Sequence, residues 1–182
     1  MPLISKQAIP SKAAIKGHPL HPLLVTLPIG ALVGALASDL AFRSTLNGFW
    51  AEASYWLIAA GLVTGALAAV AGLVDFLARP AIRRLNIAWM HFLGNGLAMI
   101  LTAVNLVLRT PDHASGVMGG GLALSALVVL TFLFTGWLGG ELVFRHRVGV
   151  MLADAANTSS TPSVDRNQAA NAAEDLKRTG TL

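Results

Sequence analysis

The chain has no cysteine, a single tyrosine and few charges. Without thiols it forms no disulfide and no thiolate zinc site, and it can hold neither a cysteine-ligated iron–sulfur cluster nor a covalently attached c-type haem. Any cofactor must be held through histidine, carboxylate or backbone. Charged residues make up 12% of the 182 residues, against about 25% in soluble domains. Hydrophobic residues make up 54%, and mean hydropathy is +0.64. This balance excludes an ordinary soluble domain and points to an integral membrane protein embedded in the lipid bilayer.

Four apolar stretches run over residues 23–42, 55–77, 87–108 and 117–144. Each is near or above the roughly 20 residues that a helix needs to cross the hydrocarbon core. The expected fold class is all-α, a four-helix transmembrane bundle with helices at about 22–43, 54–78, 86–109 and 116–145. Loops this short make consecutive helices antiparallel neighbours, and the domain covers 17–150. Residues 1–16 are expected to be a flexible N-terminus. From about Ala153 the composition turns to Ala, Asn, Ser, Thr and Asp without apolar periodicity, so 151–182 reads as a disordered cytoplasmic tail.

Orientation follows from the basic residues. Lys6, Lys12 and Lys16 precede the first helix, Arg79, Arg83 and Arg84 fill the second loop, and Arg145 and Arg147 follow the fourth helix. The other side has only Arg43 and Arg109 near its helix ends. The positive-inside rule then puts both termini in the cytoplasm of a multi-pass protein of the bacterial inner membrane. A pI near 10.1 reflects this topology signal and contact with anionic headgroups, not nucleic-acid binding.

Ionisable side chains are costly near lipid, so several at one level suggest a site. His18, His21, Asp75, His91, Glu141 and His146 all fall at the end that carries the basic residues. In Gly17-His18-Pro19-Leu20-His21-Pro22 both histidines precede proline and are expected to be extended. Pro28 should bend the first helix and free a carbonyl near Leu24. On the third helix His91, Asn95, Thr102 and Asn105 share a stripe that should face the bundle interior. Asp39 lies on the face of His21 but at the opposite side, and Arg43, one turn on, is its expected partner. His113 reads as a solvated loop residue, and Trp50, Trp56, Trp89 and Trp137 as interfacial anchors. Gly30 and Gly34, and Gly61 and Gly65, have the small-xxx-small spacing of close helix packing.

The segments GHPLHPLLVTLPIG at 17–30, GLVD at 72–75, His91 with Asn95, and WLGGELVFRHRVGV at 137–150 resemble the prokaryotic membrane family called domain of unknown function 2231. The resemblance implies a four-helix membrane domain. Members of that family also occur fused to Rieske-type or c-type cytochrome domains, which implies electron transfer with a separate redox protein partner for a chain that has neither fusion.

Three readings of the polar cluster stand side by side. In one, two of the histidines His18, His21, His91 and His146 ligate a b-type haem. In another, His21, Asp75, His91 and Glu141 hold zinc, iron or manganese, either as a bound ion or as the centre of a membrane-embedded hydrolase. In the third, the cluster is a structural polar network in a scaffold or complex subunit, and a homo-oligomer is open. No catalytic residue is assigned.

Overall fold

The computed structural model describes residues 8–150; the expected tail and Lys6 lie outside them. The fold is an all-α bundle of four spans, Leu20–Thr45, Gly48–Ala78, Asn86–Arg109 and His113–Phe144, each long and apolar enough to cross a membrane. The first span packs on the second and the fourth, and the third packs on the second and the fourth. The first and third spans therefore face each other diagonally.

Each span turns one narrow stripe inward, its buried residues separated by steps of three, four or seven. Pro28, Leu32, Ala35, Asp39 and Phe42 do so on the first, and Ala51, Ser54, Ile58, Gly61, Gly65 and Ala68 on the second. Ala98, Thr102, Asn105 and Arg109 are buried on the third, and Ser125, Val128, Thr135, Leu138 and Leu142 on the fourth. This repeat is that of helices meeting at small angles. Small residues dominate the interior because van der Waals contact, not the hydrophobic effect, holds helices together in lipid. A Cβ on Gly61 would lie 2.6 Å from Leu32 Cγ, and one on Gly94 would lie 2.5 Å from Thr135 Cγ2. Gly30 meets nothing within 4 Å, so this residue of the expected small-residue pair is not a packing contact. Large side chains such as Leu67, Val107, Leu133 and Trp137 point outward, as a lipid-facing surface requires.

The second helix, α3 (Gly48–Ala78), starts six residues before the expected 54. Asn47 caps it by accepting from the Phe49 amide at 3.0 Å. The first span divides into α1 (Leu20–Leu24) and α2 (Thr26–Thr45). The break at Val25 lies where Pro28 withholds an amide from the Leu24 carbonyl, as expected. His21, however, is helical and not extended. Pro19 takes the extended N-cap position (φ −63°, ψ 129°), and Pro22 falls in the first turn, where no intrahelical N–H bond is lost.

The described part of the expected loose N-terminus, 8–16, is instead tied down. Ala14–Ile15 (β1) pairs antiparallel with His18–Pro19 (β2), and Ile9 bridges to Val148. Ile9 and Val148 then pack against the cluster of Phe76, Ile82, Ala88 and Leu142. Chain segments before the first span, between the second and third, and after the fourth thus form one cap, called the basic end below.

Candidate functional site

At the basic end the structure brings His21 and His91 together across the diagonal of the bundle. Their ring centroids are 6.1 Å apart and the rings are nearly perpendicular, at 87°. His21 Nδ1 lies 2.8 Å from the Ala68 carbonyl of the second span, and His91 Nδ1 lies 2.9 Å from the Thr135 carbonyl of the fourth. A carbonyl only accepts, so Nδ1 is the donor in both rings, and in the neutral tautomer Nε2 keeps its lone pair. Glycines seat the two rings. A Cβ on Gly72 would meet His21 Nδ1 at 2.8 Å, and one on Gly139 would meet His91 Cε1 at 3.1 Å. Asn95 donates to the His91 carbonyl and accepts from Thr135 Oγ1, which fixes the third span against the fourth beside the pair.

The other four residues of the expected cluster lie elsewhere. Asp75 receives Ser11 Oγ at 2.7 Å, together with the amides of Lys12 and Ala13, so its carboxylate clamps the N-terminal segment to the second span. Glu141 pairs with Arg145 one turn on, at 3.0 Å. His18 is exposed with Nδ1 on the Lys16 carbonyl, and His146 lines a depression next to Arg79. Among the described residues no group of three or more His, Asp or Glu is placed to hold a metal ion. Of the four residues expected to act together, the structure brings His21 and His91 side by side and gives Asp75 and Glu141 other partners.

A second polar centre lies at the opposite end, and the sequence reading missed it. Arg109 is fully buried and grips Asp39, also fully buried, through two parallel bonds of 2.6 and 2.7 Å. Its remaining donors reach Ser54 Oγ, Ser125 Oγ and Asn105 Oδ1 at 2.8, 3.0 and 2.9 Å. All five guanidinium donors are satisfied, by residues of all four spans. The fourth span deforms to make room. Non-helical torsions at Gly119 and Gly120 (φ +118°) break it, and Gly116 and Gly121 lie against Arg109 where a Cβ would come within 2.8 and 2.9 Å. The expected Asp39–Arg43 pair does not form, because Asp39 faces the interior while Arg43 is exposed and donates to Met118 Sδ. His113 is likewise no free loop residue, since it stacks on Tyr55 at 4.1 Å.

Four apolar spans, an inward polar stripe and an outward apolar surface define a multi-pass α-helical membrane protein. A family model matches residues 17–152, and the chain belongs to that family, the predicted membrane proteins designated domain of unknown function 2231. Comparison with curated proteins and with solved structures finds no match.

Proposed function

We propose that the protein is a membrane electron-transfer component that binds one b-type haem through His21 and His91. The observation that carries this reading is the spacing of the two rings. Two imidazoles that shared one metal through Nε2, each at about 2 Å, would have centroids no more than roughly 6 Å apart, and these are 6.1 Å apart. Both Nδ1 atoms are engaged with carbonyls, an outer-shell arrangement that orients ligating histidines. Haem iron takes four ligands from its macrocycle and asks only two of the chain, whereas a zinc hydrolase needs three protein ligands and an open position. The donor set fits the haem. When bound, it supplies one-electron transfer. The chain's own part is to hold two imidazoles rigidly between facing spans.

The test is an absorption spectrum, oxidised and dithionite-reduced, with elemental analysis of the same detergent-purified sample. The expected result is a Soret band that shifts on reduction and about one iron per chain. Stoichiometric zinc or manganese without that band would overturn haem in favour of a two-histidine metal site. Neither signal after expression with haem and metals supplied would leave the pair as a structural staple in a membrane scaffold.

The same reading places both termini in the cytoplasm of a bacterial inner membrane. Support comes from charge: Lys12, Lys16, Arg79, Arg83, Arg84, Arg145 and Arg147 lie at the basic end. At the other end Arg109 is neutralised by Asp39, which leaves Arg43 as the unpaired cation near the span ends among the described residues. The cysteine-free chain makes the check clean. In intact cells, Ser115→Cys should react with a membrane-impermeant maleimide and Lys16→Cys should not; the reverse pattern would invert the topology.

A further inference from the structure

We infer that a depression at the basic end, separate from the histidine pair, binds a phosphate group, and that its source is an anionic phospholipid headgroup. The depression has a volume of about 480 Å³, with apolar walls from Ile9, Pro10, Ala81 and Leu85 and polar groups from Arg79 and His146. Arg79 Nε is buried without a hydrogen-bond partner, the only such side-chain nitrogen or oxygen among the described residues. A buried donor left unpaired is destabilising, so its isolation marks a missing acceptor.

The neighbouring arginines do not share this condition. Arg83 donates to the carbonyls of Phe76 and Leu77, and Arg145 pairs with Glu141. Among the described residues Arg79 has neither a carboxylate nor a carbonyl hydrogen-bonded to its side chain. A guanidinium presents a planar fork that matches phosphate oxygens, and the imidazole of His146 can add an N–H donor to the same anion. The level in the bilayer selects the source. Arg79 follows the end of the second span at Ala78, and His146 lies two residues beyond the end of the fourth at Phe144. Headgroup phosphates lie at that level, and basic pockets at span ends are where anionic headgroups bind. The apolar walls suit the glycerol and first acyl carbons better than a free ion, which gains nothing from them.

The experiment is native mass spectrometry of the full-length protein in detergent, titrated with phosphatidylglycerol, diacylglycerol or inorganic phosphate. Saturable retention of one phosphatidylglycerol per chain is expected, with diacylglycerol not retained. Arg79→Gln should weaken that retention roughly tenfold, the loss of a charge-assisted hydrogen bond. Ala81→Trp, which fills the depression and leaves Arg79 in place, should weaken it as much and carries the test if Arg79→Gln does not fold. Arg84→Gln, outside the depression, should leave it within about twofold. Saturable binding of inorganic phosphate with the same dependence on Arg79 would uphold phosphate recognition and name the free ion as its source. An equal loss from Arg84→Gln and Arg79→Gln would reduce the effect to diffuse charge and overturn the inference. So would the absence of any binding, or an Arg79→Gln protein that binds normally.

Discussion

Asp39→Ala should destabilise the folded bundle by about 3–5 kcal/mol, the range found when one partner of a buried ion pair is removed. The magnitude comes from what remains. Arg109 is fully buried, and its two bonds to the carboxylate would vanish, leaving a cation whose nearest acceptors are three neutral side chains. Asp39→Asn should be nearly as damaging, because its amide would turn a donor toward a guanidinium that only donates. Arg109→Ala should fall in the same range, since it strands a carboxylate. Joint replacement, Asp39→Leu with Arg109→Met, should recover most of the loss, because an apolar pair of similar volume needs no desolvation. Arg43→Ala should change stability by no more than about 0.5 kcal/mol, as an exposed substitution does. Folded fraction in a denaturant titration of detergent-solubilised protein measures all five. A neutral Asp39→Asn, or an Arg43→Ala as damaging as Arg109→Ala, would remove this account of the centre.

The arithmetic that places His91, Asn95, Thr102 and Asn105 on one stripe leads, one further turn on, to Arg109. What hid the residue was its position at the last turn of a span, where an arginine usually marks the membrane boundary. Local spacing also favoured Arg43 for Asp39. A carboxylate with no exposure needs a partner that can enter the interior with it, and the fourth span provides the space through Gly116, Gly119, Gly120 and Gly121. That accommodation is a long-range fact, invisible to a one-helix pattern. The spans themselves were legible because lipid imposes length and apolarity on each independently of its partners.

The histidine site was half legible for a related reason. Face arithmetic puts His21 and His91 at one level, and the structure brings those two together. It cannot show that a carboxylate at the same level is committed elsewhere. Asp75 is taken by Ser11, Lys12 and Ala13, residues whose lack of apolar pattern read as a loose end. Backbone acceptors are equally silent in sequence. Nothing in Ala68 or Thr135 as residue types announces that their carbonyls orient two imidazoles.

On the proposed haem reading, His21→Ala and His91→Ala should each abolish haem binding, whereas His113→Ala should leave it at the level of the unaltered protein. His21 and His91 would hold the group with no spare member beside them: Asp75 and Glu141 are bonded elsewhere, and His18 is exposed with Nδ1 on the Lys16 carbonyl. Gly72→Ala is the more discriminating substitution. Its methyl would lie 2.8 Å from His21 Nδ1, the atom that bonds to Ala68, so the ring must turn even though both imidazoles remain. The expected outcome is a protein that folds but holds less haem, with an altered reduced spectrum, because ring orientation and the outer-shell bond tune the iron. Gly96→Ala, which meets nothing within 4 Å, is the matched control and should be silent. Absorbance per chain, with denaturant stability measured on the same samples, separates the two roles of the pair. If Gly72→Ala lowers stability and leaves haem content unchanged, the ring serves only as a staple. If it lowers haem content at unchanged stability, His21 acts on the iron.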